Sequence, residues 1–285
     1  MTTSFSAQES EGPVIAELER PRRKRRRRSR VLRTLLRIGW NIIPVLTFAA
    51  LVGLWGAAVR VFDVPSYLVP PPGGVFHLLI SDAAMLWINA KTTLAEILLG
   101  FGLTLVTAIP LGLVIALSPL ARQVLYPPAM LLQLVPKIAM APLFLVWFGF
   151  GMESKVILTL LMTFFPLLLA SIAGFQILDA RLLYLTQSMG ATVWQTFFYL
   201  RVPSALPVIF SGVRTSATIA ATAAIVAEFI GANRGLGYVL LKGTSTMNLE
   251  LTFAVLVALT AIGLAINYTV EFSEWVLAPW QRNSK

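Results

Sequence analysis

The chain has 285 residues, of which 57% are hydrophobic and only 13% charged, with a mean hydropathy of +0.77; its own surface cannot keep it in water, and it reads as an integral membrane protein. The absence of cysteine excludes disulfide frameworks, thiolate metal sites and thiol catalysis, and the single histidine, His77, leaves no set for a metal centre or a Ser-His-Asp triad. The net charge of +10 is concentrated at one end: residues 1–37 carry 11 Lys/Arg against 4 Glu, a net of +7, and the other 248 residues carry +3.

Residues 1–37 read as a disordered basic tail, rich in Ser, Thr and Glu over the first 19 residues. The run from Arg22 to Arg28 lacks the interleaved aromatics of a nucleic-acid arm and lies just before a hydrophobic run, so it reads as a cytoplasmic topogenic segment touching anionic headgroups. No cleaved signal peptide is evident. A helix needs about 20 residues to cross the hydrocarbon layer. Six runs meet this, at residues 39–59, 92–118, 125–148, 156–175, 205–230 and 251–270, within a single domain of residues 38–280. Strand-type alternation is absent, so helices rather than a barrel satisfy the backbone. The expected fold is therefore an all-α membrane protein with six transmembrane helices.

With the amino terminus inside, the cytoplasmic segments collect 16 Lys/Arg and the outside segments 5, these being Arg60, Lys91, Lys155, Arg234 and Lys242, while Lys137 and Arg214 fall within spans. This bias predicts cytoplasmic amino and carboxyl termini, the latter as a short tail at residues 281–285. The longest outside loop contains a run from Val64 to Gly74 that is too rich in Pro and Gly for a regular element. No internal repeat is visible.

Between the fourth and fifth spans lies a polar-faced segment, residues 184–207, expected on the cytoplasmic side as a short helix lying along the membrane face. Gly190 either permits a turn with positive φ or removes a side chain where two backbones approach. Pro203 is expected to stop the helix, with Pro207 in an early turn of the fifth span. Trp194, Phe197, Phe198 and Tyr199 supply apolar area for packing on the protein or on a partner. The plainer alternative is an interfacial amphipathic helix.

In this segment Gly190 is followed after nine residues by Leu200, Arg201, Val202 and Pro203. That spacing resembles the second half of the EAA loop of bacterial ABC importer permeases, whereas Tyr184-Leu185-Thr186 stand where that loop has Glu-Ala-Ala. Further stretches, 136–151, Gly100-Phe-Gly, Pro110-Leu-Gly and the run from Ala227-Glu228 to Gly235-Leu-Gly237, are similar to the nitrate/sulfonate/taurine-type permeases. The resemblance covers roughly residues 60–280. It implies a type I (MetI-like) importer fold, a homodimer with the pathway at its interface, two ATP-binding subunits and an extracytoplasmic solute-binding protein, in a bacterial plasma (inner) membrane. It also implies a coupling loop at residues 178–204 involving Tyr184, Gly190, Ala191, Leu200, Val202 and Pro203. Cargo in this group ranges over nitrate, taurine, sulfonates and vitamin-precursor heterocycles.

The sequence contains no Gly-x4-Gly-Lys-Ser/Thr cradle, so the chain is expected to have no ATPase site or cofactor of its own, ATP being bound by a partner, and no metal. The glycine-rich stretch from Gly231 to Gly237 reads as a turn ending the fifth span. Two ionisable groups are candidates for the substrate pathway. Lys137 lies between Pro136 and Pro142, where a kinked helix would line a path for an anion, or else it snorkels toward the cytoplasmic surface. Glu228, near the outer end of the fifth span, is a gate residue, a partner for a cation or a contact for a binding protein. Glu96 is expected at the interface. The competing function, an ATP-independent secondary transporter or channel, would call for coupling acids or inverted repeats, which the sequence does not offer.

Overall fold

A computed structural model describes residues 43–280. The basic tail, the first residues of the first expected span and the residues after 280 lie outside the described part. Contacts divide the chain into two compact units, up to Ala58 and from Val59 onward. The first helix, α1 (Ile43–Val61), is apolar over its 19 residues, and its Thr47 hydroxyl donates to the Ile43 carbonyl one turn back.

The second unit is helical throughout its regular structure. Its elements are α2 (Pro72–Ser81), α3 (Ala83–Leu117), α4 (Pro119–Leu134), a 3₁₀ turn (Lys137–Met140), α5 (Ala141–Phe148), α6 (Met152–Gln176), α7 (Ala180–Ser188), α8 (Val193–Thr196), a π-helical turn (Phe197–Arg201), α9 (Val202–Gly231), α10 (Leu236–Ser245) and α11 (Leu249–Leu277). Among the described residues, five helical stretches are long and apolar enough to cross a membrane. The expected third span is instead two helical pieces, Pro119–Leu134 and Lys137–Phe148, bent by 81°. The break falls at Val135-Pro136, because Pro136 has no N–H to give and pushes the residue before it into extended backbone, with Val135 at ψ 129°. A proline-driven kink was expected here; a corner this sharp was not.

The Pro-rich run from Val64 to Gly74, expected outside, is irregular only as far as Pro71. Pro72 opens α2 as its first residue, where a missing N–H costs nothing, so Pro72, Gly73 and Gly74 are helical. Lys155, expected in a loop, is instead in the first turn of α6 and buried.

The core is a three-helix stack of α3, α6 and α9, filled by residues such as Ile97, Phe101, Leu167, Leu168, Ile209 and Ala220. In an apolar solvent, burying Leu against Leu gains little, so close backbone approach and polar contacts must hold helices together. Both are present. A Cβ on Gly112 of α3 would lie 2.5 Å from the Ser171 Cβ of α6. The Thr104 and Thr163 hydroxyls are 2.6 Å apart across the same two helices, and the Ser216 hydroxyl of α9 donates to the Thr163 carbonyl at 3.1 Å. At the margin, Arg214 of α9 is ion-paired with Glu274 of α11.

Replacing Gly112 with Leu should lower unfolding stability in detergent by about 1–3 kcal/mol through overpacking. Gly102→Leu, at a site where a Cβ meets nothing within 4 Å, should leave the melting midpoint unchanged.

Candidate functional site

Two groups of candidate residues lie at opposite ends of the α3–α6–α9 core. One is formed by the carboxyl end of α6, the α7–α8 segment and the start of α9. The other gathers the amino-terminal parts of α3 and α6 with the carboxyl end of α9.

At the first end, Asp179 caps α7 by accepting the Arg181 N–H at 2.9 Å. The helix closes in a Schellman motif: Gly190 N–H donates to the Gln187 carbonyl and Ala191 N–H to the Thr186 carbonyl, both at 3.0 Å. This closure needs a left-handed residue, and Gly190 adopts φ +75°. A Cβ there would meet nothing within 4 Å, so within this chain the turn, not close packing, requires the glycine. The next helix starts at once with a capping box, in which Thr192 accepts from the Gln195 N–H and Gln195 accepts from the Thr192 N–H.

From there the chain does not stop at Pro203, as the sequence suggested. Val193–Gly231 is one helical stretch of 39 residues. The π-helical turn carries the chain into α9, the Val202 N–H reaching back five residues to the Phe197 carbonyl, and this wider turn accommodates Pro203 directly after it. Arg201 ties this junction to α6 by donating to the Phe175 carbonyl at 3.2 Å. Outward from this fixed base the segment presents Tyr184, Leu185, Met189, Val193, Trp194, Phe198 and Tyr199, all exposed, with the Trp194 and Phe198 rings stacked 6.0 Å apart. Ala191, Leu200, Val202 and Pro203 are half-buried behind them.

At the other end the structure brings together residues that the sequence reading kept apart. Lys155 Nζ donates to Glu96 Oε1 at 2.8 Å, and Glu96, expected at the interface, is wholly enclosed at 0% exposure. Glu228, 1% exposed, accepts the Thr93 hydroxyl at 2.7 Å on one oxygen and the Gly237 N–H on the other. Two more N–H groups of the α10 amino terminus are met by α3: Gly235 donates to Asn89 Oδ1 at 2.9 Å and Leu236 to Thr93 Oγ1 at 2.8 Å. The run from Gly231 to Gly237 is therefore the docking turn of α10. It brings a helix amino terminus, with its orphan donors and partial positive charge, onto a carboxylate. Gly235 is at φ +111°, and a Cβ on it would fall 2.2 Å from a Glu228 oxygen. A signal for this clasp was available: Asn89, Thr93 and Glu96, spaced four and three apart, share one face of a helix.

Lys137 lies at the corner of the broken span. Its Nζ donates to the Gln133 carbonyl at 2.7 Å and sits 5.1 Å from the centre of the Phe165 ring. Around it is an open pocket lined by Pro136, Ile138, Met162 and Ile219. Among the described residues no group of three or more His, Cys, Asp or Glu has the arrangement of a metal site.

Residues 108–283 match the family described as binding-protein-dependent transport system inner membrane component. The formylaminopyrimidine transport permease protein ThiX of Halalkalibacterium halodurans is 32% identical to this chain, over 84% of it and 96% of the relative. The taurine transport system permease protein TauC of Escherichia coli is 28% identical, over 84% of this chain and 89% of the relative. Among solved structures, the MetNI methionine ABC transporter in an inward-facing conformation overlays with a TM-score of 0.57 at 19% identity, over 67% of this chain and 95% of that one, a likeness of fold. The chain belongs to the binding-protein-dependent inner membrane component family and is a transmembrane permease subunit of an ATP-binding-cassette importer.

Proposed function

We propose that this permease works as a homodimer above two ATP-binding subunits, which supply the energy that the chain has no phosphate cradle to capture itself. An extracytoplasmic binding protein delivers the solute, and both termini lie in the cytoplasm of a bacterial inner-membrane protein. The α7–α8 segment is the part that docks on the ATPase. The observation that carries this assignment is the exposed row Tyr184, Met189, Trp194, Phe198 and Tyr199 on a base fixed by a Schellman turn, a capping box and Arg201. Exposed aromatics on a rigid mount have the composition of an interface hot spot. Tyr184-Leu185-Thr186, in place of Glu-Ala-Ala, make this contact apolar in character, with no carboxylate at that position.

Continuity of Val193–Gly231 supports alternating access by rigid movement, in which closure of the ATPases shifts α7–α8 and swings α9 with it. Lys137 borders the pathway at the corner of the broken span. Its pocket is apolar apart from that ammonium, which suits a flat, weakly polar heterocycle such as a vitamin precursor. A sulfonate or similar anion is the second reading, favoured by the ammonium itself.

In the transporter reconstituted with its ATP-binding subunits, Trp194→Ala should weaken docking by about 2 kcal/mol, roughly thirtyfold, with ATP-driven uptake falling in parallel. Gly190→Glu should abolish both; retention of assembly and uptake in that variant rejects the docking role. Lys137→Met should leave assembly intact. If the cargo is an anion its uptake collapses, whereas uptake of a neutral heterocycle changes less than about threefold.

A further inference from the structure

The carboxyl-terminal part of α3, where Gly112 packs on Ser171 of α6, passes into α4 through Ser118. At that turn lies a cavity of about 470 Å³. Four of the side chains that line it carry hydrogen-bonding groups: Ser118, Arg122, Gln123 and Tyr126. Ser118, Arg122 and Tyr126 are spaced four apart and so follow one face at the start of α4. The Ser118 oxygen accepts the Ala121 N–H at 3.2 Å and keeps its own proton to give. Among the described residues, the side chains of Arg122, Gln123 and Tyr126 have no hydrogen-bond or ion-pair partner.

Donors dominate this lining. The Arg122 guanidinium is a fork of N–H groups that matches the oxygens of a phosphate, and the amide, phenol and hydroxyl add to it. No carboxylate lines the cavity. That sets the charge of the guest: a zwitterionic headgroup would leave its ammonium unpaired, whereas an anionic one needs only the donors present. The cavity also continues into an apolar surface. Leu117 lines it and is 46% exposed. Leu103, Val106, Pro110, Val114 and Leu117 recur every three or four residues and are all exposed, which makes one stripe along α3. The stripe runs about 21 Å from the cavity along a membrane-spanning helix. A free phosphate has no use for such a stripe, and an acyl chain does.

We propose that the cavity at the α3–α4 turn binds one anionic phospholipid, its phosphate held by Arg122 and Tyr126 and an acyl chain lying along the α3 stripe. A basic pocket beside a spanning helix is the chemistry by which proteins hold anionic headgroups. The tyrosine ring stands at the level where aromatic side chains meet the membrane surface. This inference does not depend on which solute the permease carries or on how the ATPase docks.

The test is native mass spectrometry of the full-length protein in detergent, titrated with phosphatidylglycerol or with zwitterionic phosphatidylethanolamine. The wild-type chain should retain one phosphatidylglycerol and release phosphatidylethanolamine at the same concentration. Arg122→Gln should bind phosphatidylglycerol about tenfold more weakly or worse, and Tyr126→Phe about threefold more weakly. Arg122 is exposed, so its variant should keep the wild-type melting midpoint. Arg181→Gln, which removes an exposed cation outside the cavity, should bind as the wild type does. Equal retention of the two lipids by the wild-type chain overturns the proposal, whether or not a variant folds, and so does unchanged binding in Arg122→Gln. Displacement of the lipid by excess inorganic phosphate overturns it too, by making the site one for a free anion. Loss of the lipid from chains that pair would mean that a second copy covers this face, and would likewise overturn it.

Discussion

A polar group buried in hydrocarbon must find its partner within the protein, and most of this fold follows from where such groups are met. The strongest case is the end of the core where Lys155 pairs with Glu96 and where Asn89, Thr93 and Glu228 receive the N–H groups at the start of α10. These residues belong to three long helices and one short one, so their pairing sets the relative positions of α3, α6, α9 and α10 together. The threonine and serine bonds further along α3, α6 and α9 repeat the arrangement with weaker groups. Removing one member of such a buried set costs about 3–5 kcal/mol, far more than the set contributes as a whole, because the remainder is left uncompensated.

The same core joins two ends with different work. One end is closed by the clasp, and the other presents an exposed aromatic row. Between them runs Val193–Gly231, whose 39 residues extend about 58 Å, nearly twice the hydrocarbon thickness. A helix of that length exceeds the apolar layer, and in the proposed orientation its first turns stand on the side of the ATP-binding subunits. A helix that emerges without a hinge transmits displacement from its exposed end to its buried one. The π-helical turn at Phe197–Arg201 adapts the helix to Pro203 without breaking it.

Much of this was legible in the sequence, and the failures have definite physical causes. Hydropathy located the spans because a hydrocarbon solvent leaves little freedom in composition. Gly190 was readable as a turn because only a residue without Cβ takes φ +75° cheaply. The proline at 203 misled, because its effect depends on the hydrogen-bond register of the turn before it, and the π-helical turn Phe197–Arg201 lets the helix continue through it. The clasp was missed for another reason. Glu96 and Lys155 are 59 positions apart and Thr93 and Glu228 are 135 apart, so their complementarity appears only once the helices are packed. Alone, Glu96 read as interfacial, Lys155 as part of a loop, and Glu228 as a gate residue, a partner for a cation or a binding-protein contact.

The proposed docking segment and the clasp stand at the two ends of one helical stretch, Val193–Gly231, and the proposed movement requires that stretch to stay rigid. Because the chain has no cysteine, spin labels can be placed cleanly through Val193→Cys and Asn233→Cys, and the distance between them measured by pulsed electron resonance in the assembled transporter, with and without ATP. A rigid helix requires a separation of about 60 Å that stays the same in both states while distances to other helices change. A separation that shortens on ATP binding would mean that the helix bends at the π-helical turn or at Pro207, and would contradict it.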